Sequence, residues 1–213
     1  MSPVDIKICG LTTAEAIDAA LRGGASHVGF VHFGKSPRHL PLARLASLAP
    51  RVASHVRRVA VLVDPDDALV DALVARGGIH VLQLHGSEEP ARAAQLRQRT
   101  GLEVWKAIPV RTAADLAAGQ AYAGAADRLL FDAKTPDGAP LPGGMGQRFD
   151  WTLLAGYRAP LPWGLSGGLD AENVTEAIRI TGAPLVDVSS GVESAPGIKD
   201  MDKIAAFCKA VSP

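Results

Sequence analysis

An eightfold alternation of two kinds of segment constrains the fold of this chain most strongly. Short runs rich in Val, Ile and Leu alternate with longer stretches rich in Ala, Leu and Arg, as is typical of βα units around a parallel sheet. Eight such units favour one closed α/β barrel, a (β/α)8 or TIM barrel with parallel strands. A doubly wound open sheet is disfavoured because no GxGxxG fingerprint follows the first strand. The predicted strands are 4–9, 27–33, 57–63, 79–85, 103–108, 128–132, 162–166 and 185–189.

The predicted helices fill the gaps between strands, and several carry residues typical of helix ends. Side chains that cap helix N-termini precede four of them: Thr13, Asp66, Ser87 and Asp170. Glycines stand where a helix C-terminus needs a left-handed residue: Gly23, Gly77 and Gly182. The sixth connection, 134–149, is rich in Pro and Gly and poor in helix formers. It is typical of a flexible active-site loop within one barrel.

Length and charge narrow the class of protein. A chain of 213 residues with 47% hydrophobic residues is long enough for a single catalytic domain over 1–213. Its net charge of zero gives no reason to expect nucleic acid or membrane partners, so a small molecule is the expected partner. No signal peptide or membrane span is recognisable, so we expect a cytoplasmic protein in which Cys9 and Cys208 remain thiols.

Strand periodicity directs several polar side chains into the barrel. Because side chains alternate between the two faces of a strand, residues that share a face with apolar neighbours pack under the helices and the others point inward. This test places the following side chains inside: Asp5, Lys7, Cys9, Gln83, His85, Asp132, Asp187 and Ser189. Several of these strands deliver a polar group at the C-terminal rim, where barrel enzymes build active sites.

Structural explanations remain open for some of these residues. Asp5 and Lys7 can form an internal ion pair that completes the barrel floor. Cys9, taken alone, is compatible with a small buried apolar residue, and so is Cys208 on the last helix. The histidines and cysteines show no metal-binding spacing, no cofactor is implied, and the GxSxG elbow of a serine hydrolase is absent.

Two glycine-containing loops predict a phosphate site. One follows the seventh strand and the other follows the eighth, the usual position of phosphate in such barrels. They contain Gly167 and Gly168, and Ser189, Ser190 and Gly191. Glycines required only for tight turns are the alternative explanation. Arg38, after the second strand, offers a guanidinium fork for a carboxylate or phosphate.

These residues occur within segments that resemble phosphoribosylanthranilate isomerases. The segments span nearly the whole chain: KICGLT (7–12), GFVHFGKSPRHL (29–40), VLQLHG (81–86), LLFDAK (129–134), GGMGQRFDW (143–151), LSGGLDAENVTEAI (165–178) and VDVSSGVESAPGIKD (186–200). The resemblance implies an Amadori rearrangement of N-(5′-phosphoribosyl)anthranilate to a 1-(carboxyphenylamino)-1-deoxyribulose 5-phosphate in tryptophan biosynthesis.

The resemblance also implies roles for individual residues. Asp132 would be the general acid that protonates the ring oxygen, and Cys9 the general base that removes the C2′ proton. Arg38 would hold the anthranilate carboxylate. Asp187 would bond the substrate amino group or orient its neighbours. Gln83 is a further substrate-binding candidate. The phosphate would lie among Gly167, Gly168, Ser189, Ser190 and Gly191.

The sequence departs from the family pattern at a few positions and leaves other functions open. Met145 and Gln147 replace a hydroxyl residue and a lysine that are common in the family's sixth loop, and His32 replaces an aromatic residue. A histidine-pathway phosphoribosyl isomerase is disfavoured because that family carries an aspartate where this chain has Cys9. A phosphoribosyl-binding protein without catalysis would not need both Cys9 and Asp132. We expect a monomer or a homodimer.

Overall fold

Eight parallel strands close into a barrel, as the alternation predicts. The computed structural model describes residues 3–136, 143–144 and 146–212. Each strand hydrogen-bonds to the next in sequence order, and β1 pairs with β8 to complete the circle. The strand ends lie within about two residues of their predicted positions. The strands are β1 (Asp5–Cys9), β2 (His27–Val31), β3 (Arg57–Leu62), β4 (Val81–Leu84), β5 (Glu103–Val110), β6 (Arg128–Ala133), β7 (Trp163–Leu165) and β8 (Leu185–Val188).

Helices cover the outside of the barrel in most of the gaps. In the described part of the chain they are α1 (Ala14–Arg22), α2 (Leu42–Leu48), α3 (Asp67–Arg76), α4 (Pro90–Thr100), α5 (Ala113–Ala117), α6 (Val174–Thr181) and α7 (Met201–Val211). Short 3-10 turns occupy Ala49–Arg51, Ala118–Tyr122, Trp151–Leu154 and Ser190–Val192. A small hairpin, β9 (Glu193–Ala195) and β10 (Ile198–Lys199), stands between β8 and α7. No described helix is long and apolar enough to cross a membrane.

Two of the four predicted N-caps act as predicted. The side chain of Thr13 accepts from the amide of residue 16, and that of Asp66 accepts from the amide of residue 69. The prediction for Ser87 is wrong, because α4 begins only at Pro90 and Ser87 instead donates to Asp64. Asp170 Oδ1 accepts from the amides of residues 172 and 173, so this side chain caps the turn before α6, and the helix itself begins later, at Val174.

The glycine predictions hold at one position of three. Gly182 has a φ of +66° and ends α6 in the left-handed conformation, as predicted. The predictions for Gly23 and Gly77 are wrong, because their φ values are −73° and −84°. In each case the following glycine is the left-handed one. A Cβ on Gly23 would lie 2.6 Å from Cys208 Sγ, so this glycine permits α1 and α7 to pack closely.

The apolar core has two layers that agree with the strand periodicity. The outer layer lies between strands and helices and includes Ile6, Ile8 and Cys208. The layer inside the barrel contains Cys9, Val59, Val61, Val81, Trp105, Leu130 and Leu185. Cys9 and Val61, at the upper end of this layer, also line a cavity at the C-terminal rim, which is described next.

Candidate active site

A cavity opens at the C-terminal ends of the strands and gathers most of the predicted site residues. About 830 Å³ of space not filled by protein atoms lies in it, including the open space at its mouth. The predicted residues that line it are Cys9, Arg38, Gln83, His85, Asp132, Gly167, Gly168, Asp187, Ser189 and Ser190.

Gly191 stands apart from that group because it does not line the cavity. A Cβ at this position would lie 1.9 Å from the carbonyl oxygen of Leu169. The glycine therefore allows the loop after β8 to pack directly against the loop after β7. The absence of a side chain at this position therefore shapes the predicted phosphate site even without direct contact with a ligand.

Cys9 ends β1 beside a buried ion pair. Lys7 Nζ donates to Asp187 Oδ1 at 2.9 Å, and both residues are almost fully buried. Burial raises the pKa of the Cys9 thiol, Lys7 opposes this shift and Asp187 adds to it. Burial alone would lower the pKa of Lys7, but Asp187 and Cys9 outweigh it and raise that pKa. Lys7 thus favours the thiolate without fully offsetting the cost of burying a charge.

Lys7 of β1 forms its ion pair with a residue of β8, the strand that closes the barrel, and not with a residue of its own strand. The expected alternative, an ion pair between Lys7 and Asp5, is replaced by the pair with Asp187. Lys7 and Asp187 are register partners between β1 and β8, whereas Asp5 lies beside Leu185. Two residues apart on one strand, Asp5 and Lys7 lie in different layers of the barrel.

Asp132 lies at the end of a hydrogen-bonded chain of side chains. Its Oδ2 is 3.1 Å from His85 Nε2, and its Oδ1 accepts from the amide of Ala133 at 2.9 Å. His85 Nδ1 is in turn 3.2 Å from Gln83 Nε2. Gln83 Oε1 is buried without a hydrogen-bond partner among the described residues. These hydrogen bonds thus hold the carboxyl of Asp132 in place. Gln83, which lines the cavity, keeps an acceptor oxygen that no described residue uses.

Arg38 is already engaged by another residue of the chain. Its Nε and Nη2 each donate to a carboxylate oxygen of Glu193 at 2.7 Å, and both side chains are buried. The expectation that this fork is free for a ligand therefore needs correction, because the Nε edge is occupied. Nη1 remains on the other edge, directed toward Gly144.

The loop after β6 brings two glycines over the centre of the site. A Cβ on Gly143 would lie 2.6 Å from both Asp132 Oδ2 and His85 Nε2, and one on Gly144 would lie 2.7 Å from Arg38 Nη1. Any larger residue would therefore displace these polar groups. Of the two unusual residues in this loop, Gln147 lines the cavity, whereas Met145 lies outside the described residues.

Both glycines of the loop after β7 have a left-handed backbone conformation. Gly167 and Gly168 have φ values of +89° and +65°, which strongly favour glycine. A Cβ on Gly167 would lie 2.6 Å from the amide nitrogen of Ala133. Across the cavity, Ser189 Oγ donates to the carbonyl of Cys9 at 3.2 Å, which ties the second loop to the end of β1.

Comparison with known proteins identifies the family of the chain that forms this cavity. The family model described as N-(5′-phosphoribosyl)anthranilate (PRA) isomerase matches residues 6–210. The chain belongs to this family. A PRA isomerase from Azorhizobium caulinodans is 55% identical over 208 residues, which are 98% of this chain and 91% of the relative. Another from Zymomonas mobilis subsp. pomaceae is 53% identical over 209 residues, 98% of each chain.

Solved structures of PRA isomerases share the fold. The enzyme from Thermotoga maritima superposes with a TM-score of 0.88 at 34% identity and covers 98% of both chains. A PRA isomerase in complex with reduced 1-(o-carboxyphenylamino)-1-deoxyribulose 5-phosphate gives a TM-score of 0.85 at 32% identity, again with 98% of both chains covered. The sequence resemblance and the barrel architecture are thereby confirmed.

Some residues of the site escaped sequence analysis. Strand periodicity predicts that His85 points inward but assigns it no role. Its contact with Asp132 joins β4 to β6 across the intervening β5 and is not visible in either strand alone. Glu193 received no attention because it follows β8 in a segment without strand or helix periodicity. Its spacing in GVES gives no sign that it reaches Arg38, far away in sequence.

Proposed function

We propose that this chain isomerises N-(5′-phosphoribosyl)anthranilate to 1-(o-carboxyphenylamino)-1-deoxyribulose 5-phosphate, an Amadori rearrangement in tryptophan biosynthesis. The single observation that carries the proposal is the meeting of Cys9 and Asp132 in one cavity of a chain that belongs to the PRA isomerase family. A proton acceptor and a proton donor on different strands match a reaction that needs both.

The first step opens the ribose ring. Asp132, in its protonated form, gives its proton to the ring oxygen while the bond from that oxygen to C1′ breaks. The lone pair of the anthranilate nitrogen forms a double bond to C1′, which gives a protonated Schiff base. The hydrogen bond to His85 and the amide of Ala133 keep the carboxyl of Asp132 in a defined orientation for this transfer.

The second step moves a proton from carbon. The thiolate of Cys9 takes the proton from C2′, and the electron pair of that bond forms a C1′–C2′ double bond as the Schiff base nitrogen regains its lone pair. Because burial raises the pKa of Cys9, the thiolate is scarce at neutral pH but is a stronger base when it forms. Lys7 offsets part of this cost from within the barrel.

The product forms when the resulting enolamine becomes a ketone. C1′ gains a proton and the hydroxyl on C2′ loses one, so the whole reaction is a balanced isomerisation. Return of these protons through Cys9 and Asp132 would restore both residues to their starting states. No cofactor is required by this balance.

The remaining parts of the substrate match the other cavity residues. The phosphate would lie between the loops after β7 and β8, near Gly167, Gly168, Ser189 and Ser190, with Gly191 shaping that pocket. The free edge of Arg38 would meet the aryl carboxylate, and Asp187 or Gln83 would accept from the substrate nitrogen or hydroxyls.

The decisive test follows the fluorescence of phosphoribosylanthranilate with purified protein. We expect the fluorescence to fall at a rate proportional to protein concentration, with product confirmed by mass and by retention against authentic material. An inactive protein that still binds the reduced product analogue would instead support the non-catalytic binding function.

We further propose that the chain acts as one catalytic domain in the cytoplasm, as a monomer or a homodimer. A Thermotoga maritima relative is described as a dimeric enzyme. Light scattering after size exclusion distinguishes the two states, and a larger assembly would contradict the proposal.

A further inference from the structure

The guanidinium of Arg38 belongs to a buried cluster of three charged side chains. Glu193, which receives two hydrogen bonds from Arg38, also accepts from Lys199 Nζ at 2.8 Å. Lys199 Nζ donates in addition to the carbonyl of Ser189 at 2.9 Å. Arg38, Glu193 and Lys199 are 5%, 7% and 7% exposed. A cluster this deeply buried holds its members in fixed positions.

The cluster, of which Arg38 lines the cavity, carries an excess of positive charge. Burial alone would raise the pKa of Glu193, but the hydrogen bonds from Arg38 and Lys199 keep it below its ordinary value. Glu193 is therefore ionised and binds Arg38 in a charge-assisted, two-point geometry. Burial lowers the pKa of Lys199, and Glu193 opposes that shift. Two formal positive charges face one negative charge, so the cluster still attracts an anion.

The hairpin β9–β10 builds this cluster and supports the loop that carries Arg38. It supplies both Glu193 and Lys199. At its turn Gly197 has a φ of +83°, and a Cβ there would lie 2.4 Å from the carbonyl oxygen of Pro37, next to Arg38 in sequence. From α7, Lys203 Nζ donates to the carbonyl of Glu193 at 2.8 Å. The hairpin is therefore fixed on both sides.

We propose that Glu193 is a positioning residue that sets specificity for substrates with an aryl carboxylate. By occupying the Nε edge of Arg38, it leaves Nη1 as the donor that faces the cavity. Lys199 compensates the charge of Glu193 and joins this arrangement to the loop of Ser189. The inference rests on the proposed function, since it concerns the carboxylate of that substrate.

The test compares two ligands that differ only in this group. They are reduced 1-(o-carboxyphenylamino)-1-deoxyribulose 5-phosphate and its phenylamino counterpart without the carboxylate, each titrated by calorimetry. Glu193→Gln keeps the size of the side chain but removes the charge. We expect it to weaken binding of the first ligand about tenfold and of the second less than about twofold. In turnover, KM should rise while kcat changes little, because the carboxylate does not react.

A matched control separates this effect from the general loss of an arginine–glutamate pair. Glu176 receives two bonds from Arg179 on the exposed surface of α6. Glu176→Gln should leave both affinities unchanged. In an Arg38→Lys background, Glu193→Gln should no longer alter the ratio of the two affinities, since Glu193 acts through Arg38.

Glu193→Asp provides a second variant that keeps the charges balanced and therefore the fold. Its shorter side chain cannot maintain both contacts at the same arginine position, so the affinity ratio should fall by several-fold. An unchanged ratio in either Glu193 variant, or an equal loss for both ligands, overturns the proposal. A wild-type protein that binds neither ligand would count against the proposed function itself, and that result is distinguishable from a changed ratio.

Discussion

The rim and the floor of the barrel interior use inward-pointing polar residues in opposite ways. At the rim, Cys9 and Asp132 line the cavity. At the floor, Trp105 is fully buried, the ring of His27 lies 5.2 Å from it, and the guanidinium of Arg128 lies 5.0 Å from the ring centre. The same strand periodicity produces both groups, so only their height in the barrel separates residues for chemistry from residues for packing.

The largest effect should come from the proposed base at the rim. Cys9→Ser should lower kcat about 10³-fold, because a hydroxyl is a far weaker proton acceptor than a thiolate, while the free energy of unfolding changes little. Steady-state turnover and thermal unfolding measure the two quantities. The matched control is Cys208→Ser in the outer core, which should leave kcat unchanged. Near-normal turnover of Cys9→Ser would remove Cys9 from the base role.

The proposed acid should give the next largest effect. Asp132→Asn should lower kcat about 10²-fold, since an amide cannot donate the required proton, and affinity for the reduced product analogue should stay within severalfold. Asp127→Asn, just before β6, is the control and should retain normal turnover. A large loss of ligand affinity with little change in kcat would instead assign Asp132 a positioning role.

Lys7 lies between the two regions, so its replacement should affect both stability and rate. Lys7→Met leaves Asp187 buried without its partner and should cost about 3 kcal/mol of unfolding free energy. It should also raise the pKa of Cys9 further, which moves the rise of kcat with pH to higher pH. Adding Asp187→Leu should restore much of the stability, because the unpaired charge is gone, without restoring turnover. Unchanged stability and an unchanged pH profile would contradict this account.

The floor should give the smallest effect and only on stability. Burial, assisted by the positive charges of Arg128 and Lys7, lowers the pKa of His27 to about 3. In the unfolded chain this histidine titrates near 6.5, so the folded state binds fewer protons between these values and loses stability as pH falls below 6.5. His27→Asn should therefore reduce the stability lost between pH 7 and pH 5.5 by about 1 kcal/mol.

Denaturant unfolding at both pH values measures this difference, and kcat at pH 7 serves as the control. If His27→Asn lowered kcat strongly at unchanged stability, the separation of rim and floor would be wrong.

Local patterns were enough to predict the barrel and most of the rim. The inward positions of Cys9, Asp132 and Asp187 follow from alternation along single strands, and the caps at Thr13 and Asp66 from the residues next to each helix. The error at Ser87 arose because competing hydrogen bonds to a neighbouring loop used its side chain. The successes thus concern interactions within a few residues of each other, whereas the error at Ser87 comes from Asp64, 23 positions away.

Contacts between distant segments could not be predicted in the same way. The partner of Lys7 depends on how β8 aligns with β1, and the partner of Arg38 lies in a hairpin that no periodicity marks. The sequence predicts a left-handed conformation for Gly23, but a glycine is required there because Cys208 of α7 packs against it. In each case the deciding distance exists only after the chain has folded.

The pairing of Lys7 with Asp187 also has a consequence for how the protein is made. The two residues are 180 positions apart, so a ribosome releases β1 long before it adds β8. Until β8 docks, the lysine beside Cys9 has no counter-charge and the ring of strands remains open along β1. A nascent chain therefore carries the proposed base without the ion pair beside it, and activity should begin only once β8 has paired with β1.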